Sequence, residues 1–201
     1  MKKIFITNIS LQGKWELQRL SYEPKDFQLD RNRETSFPII PVIASKQEEG
    51  DEIKILAVRS NHAGTPDNYM VFLEELDKLG IKKEQVKEIA ITEDQSSPES
   101  LKLLLNILEE IPEESLVYGD ITYGTKPMAA ILLYAMSFAE KMKDCEVDGI
   151  YYGEIRREDK EVTGAILYDL TVLKLLGDLI EEMKDVGIQE MRETISRLIG
   201  L

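Results

Sequence analysis

Between residues 118 and 128 the chain reads "YGDITYGTKPM", with apolar "SLV" before it and the helical pattern "AAILLYAMSFAEKM" after it. A strand that passes into a helix through Asp, Thr, Gly and Lys builds an anion-binding corner. Gly124 allows close backbone approach, and Thr125 at the cap leaves first-turn N–H groups and the positive dipole end facing an anion. Pro127 suits a first turn, where its missing N–H needs no partner. Lys126 adds a point charge for a phosphate. Asp120 has two candidate roles: accepting backbone N–H bonds that order the turn, or gripping a ribose hydroxyl. A plain capped turn would carry the same residues.

The elements that must hold this corner alternate along the chain. "KKIFITNI" at 2–9, "EIKILAVRS" ending at Ser60, "VKEIAIT" ending near Thr92, "ESLVYGDIT" and "VDGIYYGEI" read as strands, and "FPIIPVIAS" is a further apolar run. "YMVFLEELDKLG", the Ser97-Pro98 stretch up to Pro112 and the run after Pro127 read as helices. "AILYDLT" reads as the antiparallel hairpin partner of the fifth strand at a sheet edge. Together these predict an α/β fold, a Rossmann-like mostly parallel sheet with helices on both faces, occupying residues 1–170. Residues 171–201 read as a tail of two amphipathic helices broken near Gly187, suited to a dimer contact or a linker to an effector. In such sheets ligands bind beyond the carboxyl ends of the strands. Those ends are Thr7, Asn8, Ile9 and Ser10; Ser60 and Asn61 onward; Thr92–Ser97; Asp120–Lys126; and Tyr152–Glu154.

Composition narrows the chemistry. The chain has 201 residues, 43% of them hydrophobic, and a formal charge of −13, which argues against duplex DNA as a partner. Residues 1–33 run the other way, with seven Lys/Arg against four acids, so a small anion could be met by N-terminal loops. One Cys and one His leave little material for a zinc site, and no cofactor or metal is expected. Cys145 alone cannot form an internal disulfide, which points to a reducing cytoplasm. No run is long and apolar enough for a membrane span, and "MKKIFITNIS" is a strand pattern without a signal-peptide cleavage site. Neither G-x-x-x-x-G-K-[ST] nor G-x-G-x-x-G after the first strand is present, so the common phosphate loops do not apply.

"GDITYGTKPMAAILLYAMSFA" followed by "VDGIYYGEI" resembles the ligand-binding core of the CRISPR-associated Rossmann-fold (CARF) domains. That family carries D-x-T-H-G or T-G-G-T-K after a strand, then a helix and a Tyr-Gly strand. Here Asp120-x-Thr122-Tyr123-Gly124 follows the first pattern with Tyr for His. Thr122 to Met128 follows the second with Tyr for Gly. "IFITNISLQGKWELQRLSY" is similar to the family's first ligand loop. Motif identity is confined to 118–128 and 150–154, and topology extends it over 1–170. The resemblance implies a homodimer that binds a cyclic oligoadenylate, most often the tetra-adenylate ring, as the sensor of a type III CRISPR antiviral response. Thr7, Asn8, Ile9, Ser10, Asp120, Thr122, Tyr123, Gly124, Thr125 and Lys126 would meet ribose and phosphate, and Ser60, Asn61 and Thr92 would line adenine.

The resemblance also implies two kinds of output. Some members degrade the ring without metal, using the ribose 2′-hydroxyl, and here Lys126 with Thr122 and Ser10 would carry such ring-nuclease activity. Others carry an effector, for which the tail ending in "SRLIGL" would be the lead. His62 follows Arg59 by only three residues and reads as a surface-loop histidine. A Rossmann-like nucleotide-binding enzyme or a regulator is the alternative from another class. Against the first, "LAVRSN" lacks the acid that would hold a ribose. Against the second, the tail has six acids and four bases, which do not make a basic recognition face. Trp15 and Tyr22 either stack on a base or anchor their loop. Of Tyr151 and Tyr152, alternation buries one and leaves the other free to face the ligand end. The apolar side of the helix at 129–140 serves the core or a dimer contact.

Overall fold

β1 (Lys2–Asn8) has apolar side chains for two cores, and the fold uses both. Ile4 and Ile6 point into one cluster and Phe5 into the other, the period-2 alternation of a central strand buried on both faces. In the computed structural model the described residues are 1–13, 17–29, 32–62, 65–159, 161–183 and 186–198. The chain divides into two compact units, Met1–Thr171 and Val172–Leu201.

After β1 the first unit runs through β2 (Leu20–Ser21), β3 (Glu23–Lys25), β4 (Glu34–Thr35), α1 (Ile39–Lys46) and β5 (Glu52–Ser60). It continues with α2 (Thr65–Asp77), β6 (Val86–Ile91), α3 (Ser97–Glu110), β7 (Leu116–Asp120), α4 (Lys126–Lys143), β8 (Glu146–Glu158) and β9 (Glu161–Asp169). The sheet order is β3-β9-β8-β7-β1-β5-β6, and β2 pairs with β4 in a separate ribbon. From β6 to β8 all pairings are parallel, whereas β9 runs antiparallel to β8 as the hairpin pattern predicts. β3, cut from the long loop after β1, lies along the outer side of β9. The apolar run "FPIIPVIAS" forms α1, a helix buried almost all round, so its sequence carries no helical stripe.

The chain lays β1, β5 and β6 outward in one direction, then returns to place β7 on the opposite side of β1. That reversal makes the β1/β7 boundary the topological switch point, where connections diverge and leave a crevice. On one face α1 and α2 pack with Tyr22, Phe37 and Phe72; on the other α3 and α4 pack with Ile107, Leu132 and Met136. Gly119 lets α4 come close: an added Cβ would stand 2.6 Å from Met136 Sδ. Among the described residues no helix is long and apolar enough to cross a membrane.

Four bases of the N-terminal stretch have local partners among the described residues. Lys3 is buried at the opposite end of the sheet, 2.7 Å from Asp51, which this bond holds down to a pKa of about 2. Lys2 donates to Glu113 O, Arg19 lies 3.9 Å from Glu75, and Lys25 pairs with Asp26. Local carboxylates and carbonyls thus meet Lys2, Lys3, Arg19 and Lys25, whereas the buried Arg33 Nε has no partner. Lys14, Trp15 and Arg31 lie outside the described residues.

The second unit consists of α5 (Val172–Glu182) and α6 (Ile188–Leu198), separated near Gly187. Both carry a strongly one-sided apolar stripe, which a solitary short helix cannot bury by itself.

Candidate functional site

Asp120, the last residue of β7, organises the switch point from inside. It is fully buried, and its Oδ2 accepts the Thr7 hydroxyl at 2.9 Å. Its Oδ1 accepts both the backbone N–H and the hydroxyl of Thr122, the two-residue reach that shapes an Asx turn. Thr122 Oγ1 in turn accepts Gly153 N–H at 2.7 Å, so β7, the turn and β8 are tied through one hydroxyl. Burial raises the Asp120 carboxyl above its ordinary pKa, opposed by these donors. Of its two candidate roles Asp120 performs the ordering one; a ribose hydroxyl cannot reach it, which corrects its place among the ligand contacts.

Tyr123 is corrected as well. Its side chain turns into the core, donates from its hydroxyl to Ser36 O at 2.8 Å, and meets Phe37 edge-on with centroids 6.0 Å apart. Only its backbone remains on the ligand side. Tyr22 is likewise buried, anchoring its loop rather than offering a stacking face.

Beyond Tyr123 the chain must swing sharply into α4. Gly124 does so at φ +92°, and a Cβ there would press to 3.1 Å against Asn8. Asn8 is 1% exposed at the end of β1, and its Nδ2 donor has no partner. Thr125 stands at the N-cap position as expected, its N–H donating to Met128 Sδ at 3.5 Å, and its hydroxyl is buried without a hydrogen-bond partner. Pro127 occupies the first turn as anticipated. The first-turn N–H groups of a helix have no intrahelical acceptor. Lys126 is exposed and makes no hydrogen bond or ion pair with any described residue. Buried unpaired donors normally cost about 1–3 kcal/mol, and Asn8 Nδ2 and the Thr125 hydroxyl both lie at this helix terminus.

Thr125 also borders a cleft of about 240 Å³ between the amino-terminal halves of α3 and α4. Leu11, Ile91, Leu103, Met128 and Ile131 give it apolar walls, and Ser60, His62, Thr92, Asp94 and Glu99 set polar groups around the rim. The strand ends after β1, β5 and β6 and the first turns of two helices thereby converge. Asp94 is committed to the turn before α3, accepting Ser96 N–H and its hydroxyl, and Glu99 pairs with Lys102 at 2.5 Å. Ser60 and Thr92 thus meet at one cleft, whereas exposed Asn61, whose N–H is used by Ile91 O, does not line it. His62, read as a bland surface residue, is a rim group. Leu11, Met128 and Ile131 were missed, although a position one turn inside a helix that begins at a strand end is a usable signal. Thr7 and Ile9 are wholly buried, and the Ile9 N–H continues the β1–β5 ladder to Val58 O.

Of the hydroxyls expected to support cleavage, that of Ser10 is buried and accepts Gln12 N–H, and that of Thr122 is used twice. Ser10 thus only accepts, whereas Thr122 both donates and accepts. Among the described residues no group of three or more His, Cys, Asp or Glu side chains could hold a metal ion. The arrangement suits holding a phosphate beside an apolar slot. No family model matches the chain, and no curated protein matches it at a significant level.

Proposed function

We propose that the protein binds an adenylate ligand at the switch point, with a phosphate on the amino terminus of α4 and a base in the adjoining cleft. The resemblance in "DITYGTKPM" makes a cyclic oligoadenylate the favoured ligand, and a sensor the favoured role. The observation that carries the reading is the meeting of unpaired buried donors at Asn8 and Thr125 with the unpartnered cation Lys126. An anion there would accept what the protein leaves open. Binding is favoured over ring cleavage because the Thr122 hydroxyl is consumed by internal bonds.

Calorimetric titration with cyclic tri-, tetra- and hexa-adenylate, followed by chromatography after long incubation, tests this. Binding with the ring intact is the expected result. Absence of binding to all three rings rejects the reading, and appearance of linear products restores the nuclease.

A symmetric ring calls for a symmetric receptor, and α4 supports one. Tyr134, Phe138 and Met142 are exposed along it, beside exposed Leu101 and Leu105 on neighbouring α3. Such a patch is the kind of surface that a second copy covers isologously. Tyr134→Glu together with Phe138→Glu is expected to move the mass in light scattering from twice the chain to once. An unchanged mass would assign the dimer contact elsewhere.

A further inference from the structure

The sheet does not end level at the switch point. β7 stops pairing at Asp120 opposite Tyr151, but β8 continues to Glu158 paired with β9, whose outer side carries β3 as far as the level of Glu154. Tyr152 is the first residue past that level. Ile150, two residues earlier on the same face, packs in the α4 cluster, so alternation puts Tyr152 on the α4 face, one step further toward the ligand end. The Gly153 N–H bond to Thr122 Oγ1 ties this part of the ribbon to the turn that carries Gly124 and Thr125.

Tyr152 lies directly opposite Tyr168 and is 38% exposed, and the two rings stack with centroids 6.4 Å apart at 24°. The Tyr168 hydroxyl donates to Glu154 Oε2 at 2.7 Å and accepts from Arg156 at 3.3 Å. Cross-strand aromatic pairing stabilises a hairpin only slightly. A fixed, solvent-facing aromatic surface with a guanidinium at its rim is also what a nucleobase stacks on.

We infer that Tyr152 and Tyr168 form a stacking ledge for a second base, on the opposite side of the α4 amino terminus from the cleft. The recognised unit is then two nucleotides joined through the phosphate held by α4, which separates oligonucleotides from mononucleotides. This rests on the adenylate reading above. The ledge supplies no phosphate contact, so Lys126 and Tyr152 respond to different parts of one ligand.

The test titrates the full chain with adenosine monophosphate, linear diadenylate carrying a 5′-phosphate, and cyclic tetra-adenylate. Tyr152→Ala is expected to weaken diadenylate and ring about tenfold while leaving the monophosphate unchanged, and Tyr152→Phe is expected to bind within about twofold of the unaltered chain. Thermal unfolding of both variants checks that the hairpin persists. Equal losses in the Ala and Phe variants assign Tyr152 a structural role and overturn the ledge. An equal loss for the monophosphate makes it part of the first base site and overturns the second. Unchanged diadenylate affinity in Tyr152→Ala, with weakening in Lys126→Ala, rejects the ledge and keeps the phosphate site. No adenylate binding by the unaltered chain rejects both.

Discussion

Asp120→Ala is expected to lower the unfolding free energy by about 3 kcal/mol, because it strands several donors in a buried site at once. Thr7 Oγ1, the Thr122 hydroxyl and the Thr122 N–H all end on this carboxylate. The Thr7 hydroxyl has a poor substitute in Asn8 O at 3.4 Å, while the Thr122 N–H has none among its recorded contacts. For a domain of this size the loss corresponds to a fall of roughly 6–12 °C in melting temperature. The damage should spread to binding, since Thr122 also holds Gly153 and the turn leading to Gly124. A melting temperature within 2 °C of the unaltered protein, roughly the smallest shift a 1 kcal/mol change gives at this size, would sink the account of Asp120 as the organiser.

Asp120→Asn separates shape from charge. The amide keeps an oxygen for Thr122 and offers its nitrogen to the Thr7 oxygen, so the fold is expected to survive. Burial raises the folded-state pKa of Asp120 above the ordinary 3.8, so across that window the folded state binds more protons than the unfolded one. The native aspartate therefore costs nothing extra below about 3.8 and becomes progressively more destabilising as pH rises toward the folded value, then levels off. The stability difference between Asp120→Asn and the unaltered chain should shift toward the variant over that rise, measured by denaturant unfolding at a series of pH values. A difference that stays flat from pH 3 upward would mean that the carboxylate is not held in a desolvating site.

These expectations also mark what the sequence made legible. The strands of the parallel core and their order of use follow from apolar alternation and helix punctuation, because β1 and β5 are long apolar runs and Pro98 and Pro127 open helices. α1 was not readable as a helix, because a segment buried on all sides has no polar face to supply a 3.6-residue period. β3 was not readable either: its Glu-Pro-Lys sequence becomes a strand only through tertiary pairing with β9. At the site, residue types located the corner but not the direction of each side chain. Tyr123 and Asp120 sit in the motif yet point inward, since a buried carbonyl and two hydroxyls offer them better partners than solvent does. The cleft is assembled from four separate connections, a convergence that no single stretch can announce.

Lys126→Ala is expected to weaken binding of cyclic tetra-adenylate about tenfold to a hundredfold, the value of one charged hydrogen bond to a phosphate. Lys126 has no carboxylate partner among the described residues and stands at the first turn of an 18-residue helix. Its charge there opposes the positive end of the helix dipole, a mild cost that a bound phosphate would reverse. Removing it should leave the melting temperature unchanged or slightly raised while binding falls, a pairing that a purely structural lysine would not give. Lys126→Glu should abolish measurable binding, since it adds like-charge repulsion to the lost contact. Lys126→Arg should recover most of the affinity, because the phosphate needs a cation at that place. Raising the salt concentration should weaken the unaltered protein more than Lys126→Ala, since only the former has this attraction to screen. Should Lys126→Ala bind as tightly as the unaltered chain at low salt, the phosphate does not sit on α4, and the unpaired donors of Asn8 and Thr125 would then require a different acceptor.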